Sequence, residues 1–215
     1  LILPATVLTP HCYRALFANS PSVEVAPELP ATTLAEACYR FMFQETSIST
    51  APDLPAPILL TDCYDGMFHG CSGLTYIKCL ATDISAVSAT SSWVYGVQKR
   101  NGTFIKDANT EWTRGDNGIP TNWTVYEVGL KRPTISCDGL EISIVCTTPS
   151  SSVYYRTGGT GNYSLYSTPI SITADTFVEA YSELNSETSS VVSATCVYDD
   201  GIEEPVIYCD GDYVT

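Results

Sequence analysis

The sequence predicts a mixed fold: a short α/β solenoid with a C-terminal cap segment, followed by an all-β sandwich. Three observations carry this reading. A repeat of about 25 residues runs through the first 80 residues, all three tryptophans fall in the segment after it, and from about Pro133 the chain turns to short alternating runs.

The repeat comes first in the argument. Leu3-Pro4-Ala5-Thr6 returns as Leu29-Pro30-Ala31-Thr32 and as Leu54-Pro55-Ala56-Pro57. The register continues through Leu8, Leu34 and Leu59, then Cys12, Cys38 and Cys63, then Tyr13, Tyr39 and Tyr64. Leu16, Met42 and Met67 follow, then Phe17, Phe43 and Phe68. Within a unit, Leu34, Cys38 and Met42 stand at i, i+4 and i+8, the spacing of one helix face. Thr33 precedes Glu36 by three residues, a capping box, and Thr9 before Pro10 reads as an N-cap followed by proline at N1. A short β-prone run closes each unit, at Val23 to Val25, Ser47 to Thr50 and Leu74 to Ile77. A short helix and a short strand every 25 residues is the arithmetic of a leucine-rich solenoid, with strands stacked about 4.8 Å apart.

Nine cysteines are an odd number. Cys12, Cys38 and Cys63 share one inward column, which favours buried free thiols over pairing. Cys71 and Cys79 occur only in the third unit and could pair. Pairing among Cys137, Cys146 and Cys196 stays open. Trp93, Trp112 and Trp123 all lie within 81–130. Large rings there either seal the open end of a solenoid or, at Trp93 and Trp112, offer sugar-stacking faces.

From Pro133 onward, Ile142, Ile144 and Cys146 alternate with polar neighbours, and so does the run Phe177 to Tyr181. Gly158-Gly159-Thr160-Gly161-Asn162 marks a hairpin tip. About seven short strands in some 70 residues suggest an immunoglobulin-like sandwich. The string from Pro133 to Gly139 returns as Pro205 to Gly211, which reads as the start of a second sandwich over 201–215. The expected organisation is therefore repeats over 1–80, a cap segment over 81–130, a sandwich over 131–200 and a truncated second copy. Both ends look cut, as in a fragment of a longer protein.

Two resemblances sharpen this. The strings LPATTLAEACYRFMF and CYDGMFHGCSGLTYIKCLATDIS resemble the BspA-like leucine-rich repeats of surface proteins from gut Bacteroidetes and of phages that infect them. The likeness extends through the tryptophan-bearing segment to about residue 128. The second unit departs from the pattern, with Gln44-Glu45-Thr46 where the third has His69-Gly70-Cys71. The string VYYRTGGTGNYSLYSTPISITADTFVEAYSE resembles the chitobiase C-terminal-like immunoglobulin domain. That likeness rests on Tyr154-Tyr155, Gly158-Gly159, Tyr166 to Ile170 and Thr176 to Ala180, and such domains are accessory modules.

Charge narrows the function. The chain carries 24 acidic and 10 basic residues, net -14. Residues 131–215 hold 12 of the acidic ones against 3 basic. That sign disfavours nucleic acid and anionic lipid as partners. No apolar run approaches the ~20 residues of a membrane span, and LILPATVLTP lacks the charged start and cleavage site of a signal peptide. His11 and His69 fall in different columns two units apart, and no nucleophile elbow, phosphate loop or zinc-protease helix occurs. A zinc site from His69, Cys71 and Cys79 would lack a fourth ligand.

The expectation is a non-enzymatic extracellular binding module on a bacterial surface that recognises a glycan or a protein. The alternatives are a phage virion component for assembly and attachment, with self-association, and an accessory region of a secreted glycan-degrading enzyme. The candidate ligand-binding residues are Ser22, Glu24, Ser47, Ser49, Thr75 and Lys78 on the strand face, with Trp93 and Trp112. No cofactor is expected, apart from a Ca2+ site that Asp199, Asp200, Glu203 and Glu204 could form at the junction of two sandwiches.

Overall fold

In the computed structural model, which describes residues 3–97 and 101–201, the chain divides into two compact units, Leu1–Gly129 and Leu130–Thr215. The expected second sandwich copy lies outside the described residues.

The first unit corrects the helical half of the expected repeat. The described residues contain no helix, so the fold is all-β and no α/β solenoid forms. Each segment read as a helix is instead a ten-residue ribbon of consecutive turns, at 10–19, 36–45 and 61–70. The tryptophan-bearing segment adds a fourth ribbon at 87–96. Within a ribbon every second N–H turns back to the carbonyl three residues earlier, as from Arg14 to His11 and from Leu16 to Tyr13. The intervening N–H groups leave the ribbon. Those of His11, Tyr13, Ala15, Phe17 and Asn19 donate to the carbonyls of Glu36, Cys38, Arg40, Met42 and Gln44 at 2.8–3.0 Å. Ala37, Tyr39, Phe41, Phe43 and Glu45 donate onward in the same way to the third ribbon, and the third donates to the fourth.

Spacing explains why this arrangement excludes helices. Helices pack about 8–10 Å apart, whereas laterally bonded chains sit about 4.8 Å apart. Corresponding rings of successive ribbons stand only 5.6–6.3 Å apart. Each ribbon requires a left-handed residue every fourth position: His11, Ala15 and Asn19, then Ala37, Phe41 and Glu45, then Asp62, Gly66 and Gly70. A left-handed residue with a Cβ costs about 1–2 kcal/mol. Here the inter-ribbon hydrogen bonds and the buried columns offset that cost.

The columns predicted from the sequence form the core. Cys38, Tyr39, Met42 and Phe43 are buried, as are Cys63, Tyr64, Met67 and Phe68. Their rings stack into two ladders, Tyr13–Tyr39–Tyr64 and Phe17–Phe43–Phe68, and both end on the indole of Trp93. Cys12 departs from its column and is exposed. Cys71 and Cys79 are buried and unpaired, and the Cys71 thiol donates to the carbonyl of Phe43 at 2.9 Å.

The opposite side of the stack is a parallel sheet, β1 (Tyr76–Cys79), β2 (Thr103–Asp107) and β3 (Thr124–Val128), in that order. On this side Ser47 N–H bonds to the Val23 carbonyl, while 49–54 meet β1 through hydrogen bonds such as Ala51 N–H to the Tyr76 carbonyl and through isolated bridges at Thr50 and Leu54 rather than a continuous ladder. The strands expected at Val23 to Val25 and Ser47 to Thr50 therefore do not form. The donor end of the stack is covered by 116–118. The Asn117 side chain accepts the Ser92 N–H, and the Asp116 and Gly118 carbonyls accept from the Val94 N–H and the Trp93 indole. Lys106 is buried, with its ammonium bonded to the Thr110 carbonyl and paired with Glu127 at 3.0 Å.

The second unit is a two-sheet sandwich. One sheet orders β4 (Thr134–Cys137), β5 (Glu141–Val145) and β8 (Ile170–Ser171). The other runs β7 (Ser164–Leu165), β6 (Ser152–Thr157) and β9 (Thr176–Leu184). Both β10 (Glu187–Thr188) and β11 (Val192–Cys196) pair with β9. Ile142, Ile144, Val178 and Ala180 fill the space between the sheets. Asn185 and Ser186 both take positive φ, the backbone of a two-residue hairpin turn matched to strand twist. A disulfide between Cys137 and Cys196 ties β4 to β11, while Cys146 stays free with its thiol on the Lys131 carbonyl.

Three outcomes follow from this packing. A Cβ at Gly102 would stand 2.1 Å from the Trp123 indole, so Gly102→Ala destabilises the first unit by about 1–3 kcal/mol. Tryptophan emission reads this directly, because all three tryptophans lie in that unit. In the second unit, reducing the disulfide opens a link across 59 residues and costs about 4 kcal/mol on a chain-entropy basis, read by circular dichroism in denaturant. Burial pushes the Cys38 thiol up to about 11 and the Cys63 and Cys79 thiols to about 12, from an ordinary value of about 9. At pH 8 a thiol reagent labels Cys12 at once and these three only after unfolding. Because the folded state holds those protons, their contribution to stability is full below pH 9 and is lost as pH rises through 11–12.

Candidate binding face of the repeat stack

The strand side of the first units is where the expected ligand-binding residues fall. Ser22, Glu24, Ser47 and Ser49 are exposed, and Thr75 and Lys78 are half-buried. The stack brings two of them, Ser49 and Thr75, together and sets a third, Lys78, against Asp53. The Thr75 hydroxyl and N–H both donate to the Ser49 carbonyl, and the Lys78 ammonium pairs with Asp53 at 2.6 Å. That hydrogen bond and charge hold the Lys78 ammonium above its ordinary pKa.

Beside these residues the surface is concave. The run Ala26-Pro27-Glu28-Leu29-Pro30 lies against Pro52, Asp53 and Pro55 of the next unit, and together they line a depression of about 390 Å3. A second one of about 250 Å3 is lined by Glu24, Val25, Ser49 and Thr50 and shares Ala26 and Pro52 with the first. The sequence explains the concavity. Prolines have no N–H to give to a neighbouring chain and fix their own φ, so at these columns the ladder is interrupted. Leu29 and Leu54 between them turn inward and are buried, which anchors both walls. The rim carries Glu24, Glu28 and Asp53 with the hydroxyls of Ser49 and Thr50. This chemistry suits hydroxyl, amide or cationic groups over an apolar floor.

Two of the expected residues are placed otherwise. Trp93 is fully buried between Tyr64, Phe68, Phe104 and Trp112, so neither of its ring faces can meet a sugar. Trp112 stacks on it at 5.3 Å and is half-buried. Of the expected calcium ligands, the Asp199 carboxylate accepts the Gly201 N–H, and its backbone N–H donates to the Gly139 carbonyl. No group of three metal-ligating side chains occurs among the described residues. Glu203 and Glu204 lie outside them, and Asp200 is exposed. The prolines are the signal in the sequence: Ala26-Pro27-Glu28 and Ala51-Pro52-Asp53 stand at equivalent places of two units, and only stacking turns them into a groove.

Compared with protein-family models, with curated proteins and with solved structures, the chain matches none. The class is therefore defined by the geometry alone: an all-β stack of turn ribbons with a proline-lined groove, and a disulfide-linked β-sandwich.

Proposed function

We propose that this chain is a non-enzymatic extracellular binding module whose repeat stack holds a glycan or a protein of a cell surface in the proline groove of its first two units. The observation that carries the reading is the pair of joined depressions beside the exposed residues Glu24 and Ser49. The groove is rigid before a ligand arrives, because its walls are prolines and buried leucines, and a preformed site loses little entropy on binding. The Cys137–Cys196 link supports an oxidising compartment outside the cytoplasm. The resemblance to surface repeat proteins points the same way, and the net charge of -14 makes nucleic acid an unfavourable partner.

The test is binding of the labelled chain to a glycan array and to intact bacterial and host cells, with the groove varied. Asp53→Ala combined with Glu24→Ala removes two rim carboxylates and releases Lys78 without touching the core. The expected result is a loss of about tenfold in affinity for the surface ligand, equivalent to one or two hydrogen bonds to charged groups. Binding that is unchanged in this variant overturns the assignment of the groove. A chain that binds neither the array nor any cell overturns the adhesion reading itself.

A further inference from the structure

The second unit carries a surface that its core does not require. Along β6 the residues Val153 and Tyr155 pack inward, and along β9 Val178, Ala180 and Ser182 do so. The alternating positions Tyr154 and Arg156, and Phe177, Glu179, Tyr181 and Glu183, therefore face outward. On an outward face polar residues are the ordinary content, yet three tyrosines gather here. Tyr154 stacks on its cross-strand partner Tyr181 at 5.4 Å, and Tyr163, from the segment before β7, meets Tyr181 edge-on at 4.9 Å. The Arg156 guanidinium lies 4.7 Å over the Tyr163 ring and pairs with Glu179 at 2.5 Å. Leu165 of β7, opposite Tyr154, is 58% exposed, and Phe177 is 38% exposed.

We propose that this face is a platform for a neutral polysaccharide chain. Leu165, Tyr154 and Tyr181 run in register across three adjacent strands, a line of about 10 Å, close to the length of two sugar units. The apolar faces of pyranose rings pack on aromatic rings, and their hydroxyls bond to phenol groups and to a guanidinium–carboxylate pair. Charge selects the ligand class. Arg156 is neutralised by Glu179, so the centre of the platform favours neither sign, while Glu183 at one end and the net charge of the chain repel polyanions. This platform belongs to the second unit and does not depend on the proline groove.

The test uses the full chain in native affinity electrophoresis through gels containing hydroxyethylcellulose, glucomannan or soluble starch, with pull-down on insoluble cellulose and chitin. At least one of these should retain the wild type. Tyr163→Ala and Arg156→Ala should weaken retention by about fivefold to tenfold, as expected for loss of one ring contact or one hydrogen-bonding fork. Tyr163→Phe should keep most of it. A measurement that needs no variant is nitration by tetranitromethane, in which the retained polysaccharide should protect Tyr154, Tyr163 and Tyr181. Retention by none of the five polymers overturns the proposal. So does retention that survives both alanine substitutions, or a bound polymer that leaves the three tyrosines open to nitration.

Discussion

The direction of the hydrogen bonds between ribbons is the constraint on which the first unit depends. Cys38 accepts from Tyr13 through its carbonyl, and the N–H of the same peptide group, on Tyr39, donates to Cys63. Tyr64 repeats the step to Ala89. Five such chains of peptide groups run side by side, all with donors pointing toward the fourth ribbon. Peptide dipoles aligned head to tail in this way add, as they do along a helix axis, and leave partial positive charge at the donor end. The cover at 116–118 answers that charge with the Asp116 carbonyl and the Asn117 side chain, the same chemistry as a helix N-cap. Trp93 joins the two parts, because its ring ends both aromatic ladders and its N–H bonds to the cover.

This geometry also separates what the sequence made legible from what it hid. The period, the inward columns and the role of large rings at the end of the array are written in residue identity, because a buried column tolerates few side chains. The backbone was not. Spacing of i, i+4 and i+8 fits a helix of 3.6 residues per turn and a ribbon of period 4 equally well over ten residues, and the capping pattern at Thr33 and Glu36 fits both. Glycines would have betrayed the left-handed positions, but only Gly66, Gly70 and Gly96 stand there. His11, Ala15, Asn19, Ala37, Phe41, Glu45, Asp62, Ser88 and Ser92 occupy the others. Their tolerance is a tertiary effect, since the lateral bonds exist only once two ribbons meet.

The candidate sites were hidden for a different reason. Outward serines, glutamate and lysine were legible as outward, because alternation dictates it, but concavity depends on what the neighbouring unit lacks. Proline at matching positions of two units removes donors from both chains at once, and that consequence appears only when the units are stacked. In the second unit the alternation of β6 and β9 was equally legible. What single-strand patterns do not report is that the antiparallel register sets Tyr154 opposite Tyr181 and Arg156 opposite Glu179.

The two units reach order by opposite routes, and this bears on where recognition can reside. The repeat stack has a continuous core that runs from one ribbon to the next, so a change at one unit is felt by its neighbours, and exposed features are free to vary only where the ladder is already broken. The prolines mark such a place. The sandwich has a small core of short aliphatic residues and a covalent link at Cys137–Cys196, so its outer sheet face is released from holding the fold together. Side chains that are not required by a core and yet cluster as rings over an internally neutralised ion pair are placed by the register of the strands alone. A surface built in that way can change its ligand without changing its fold, and that freedom is what separates a spacer from a receptor.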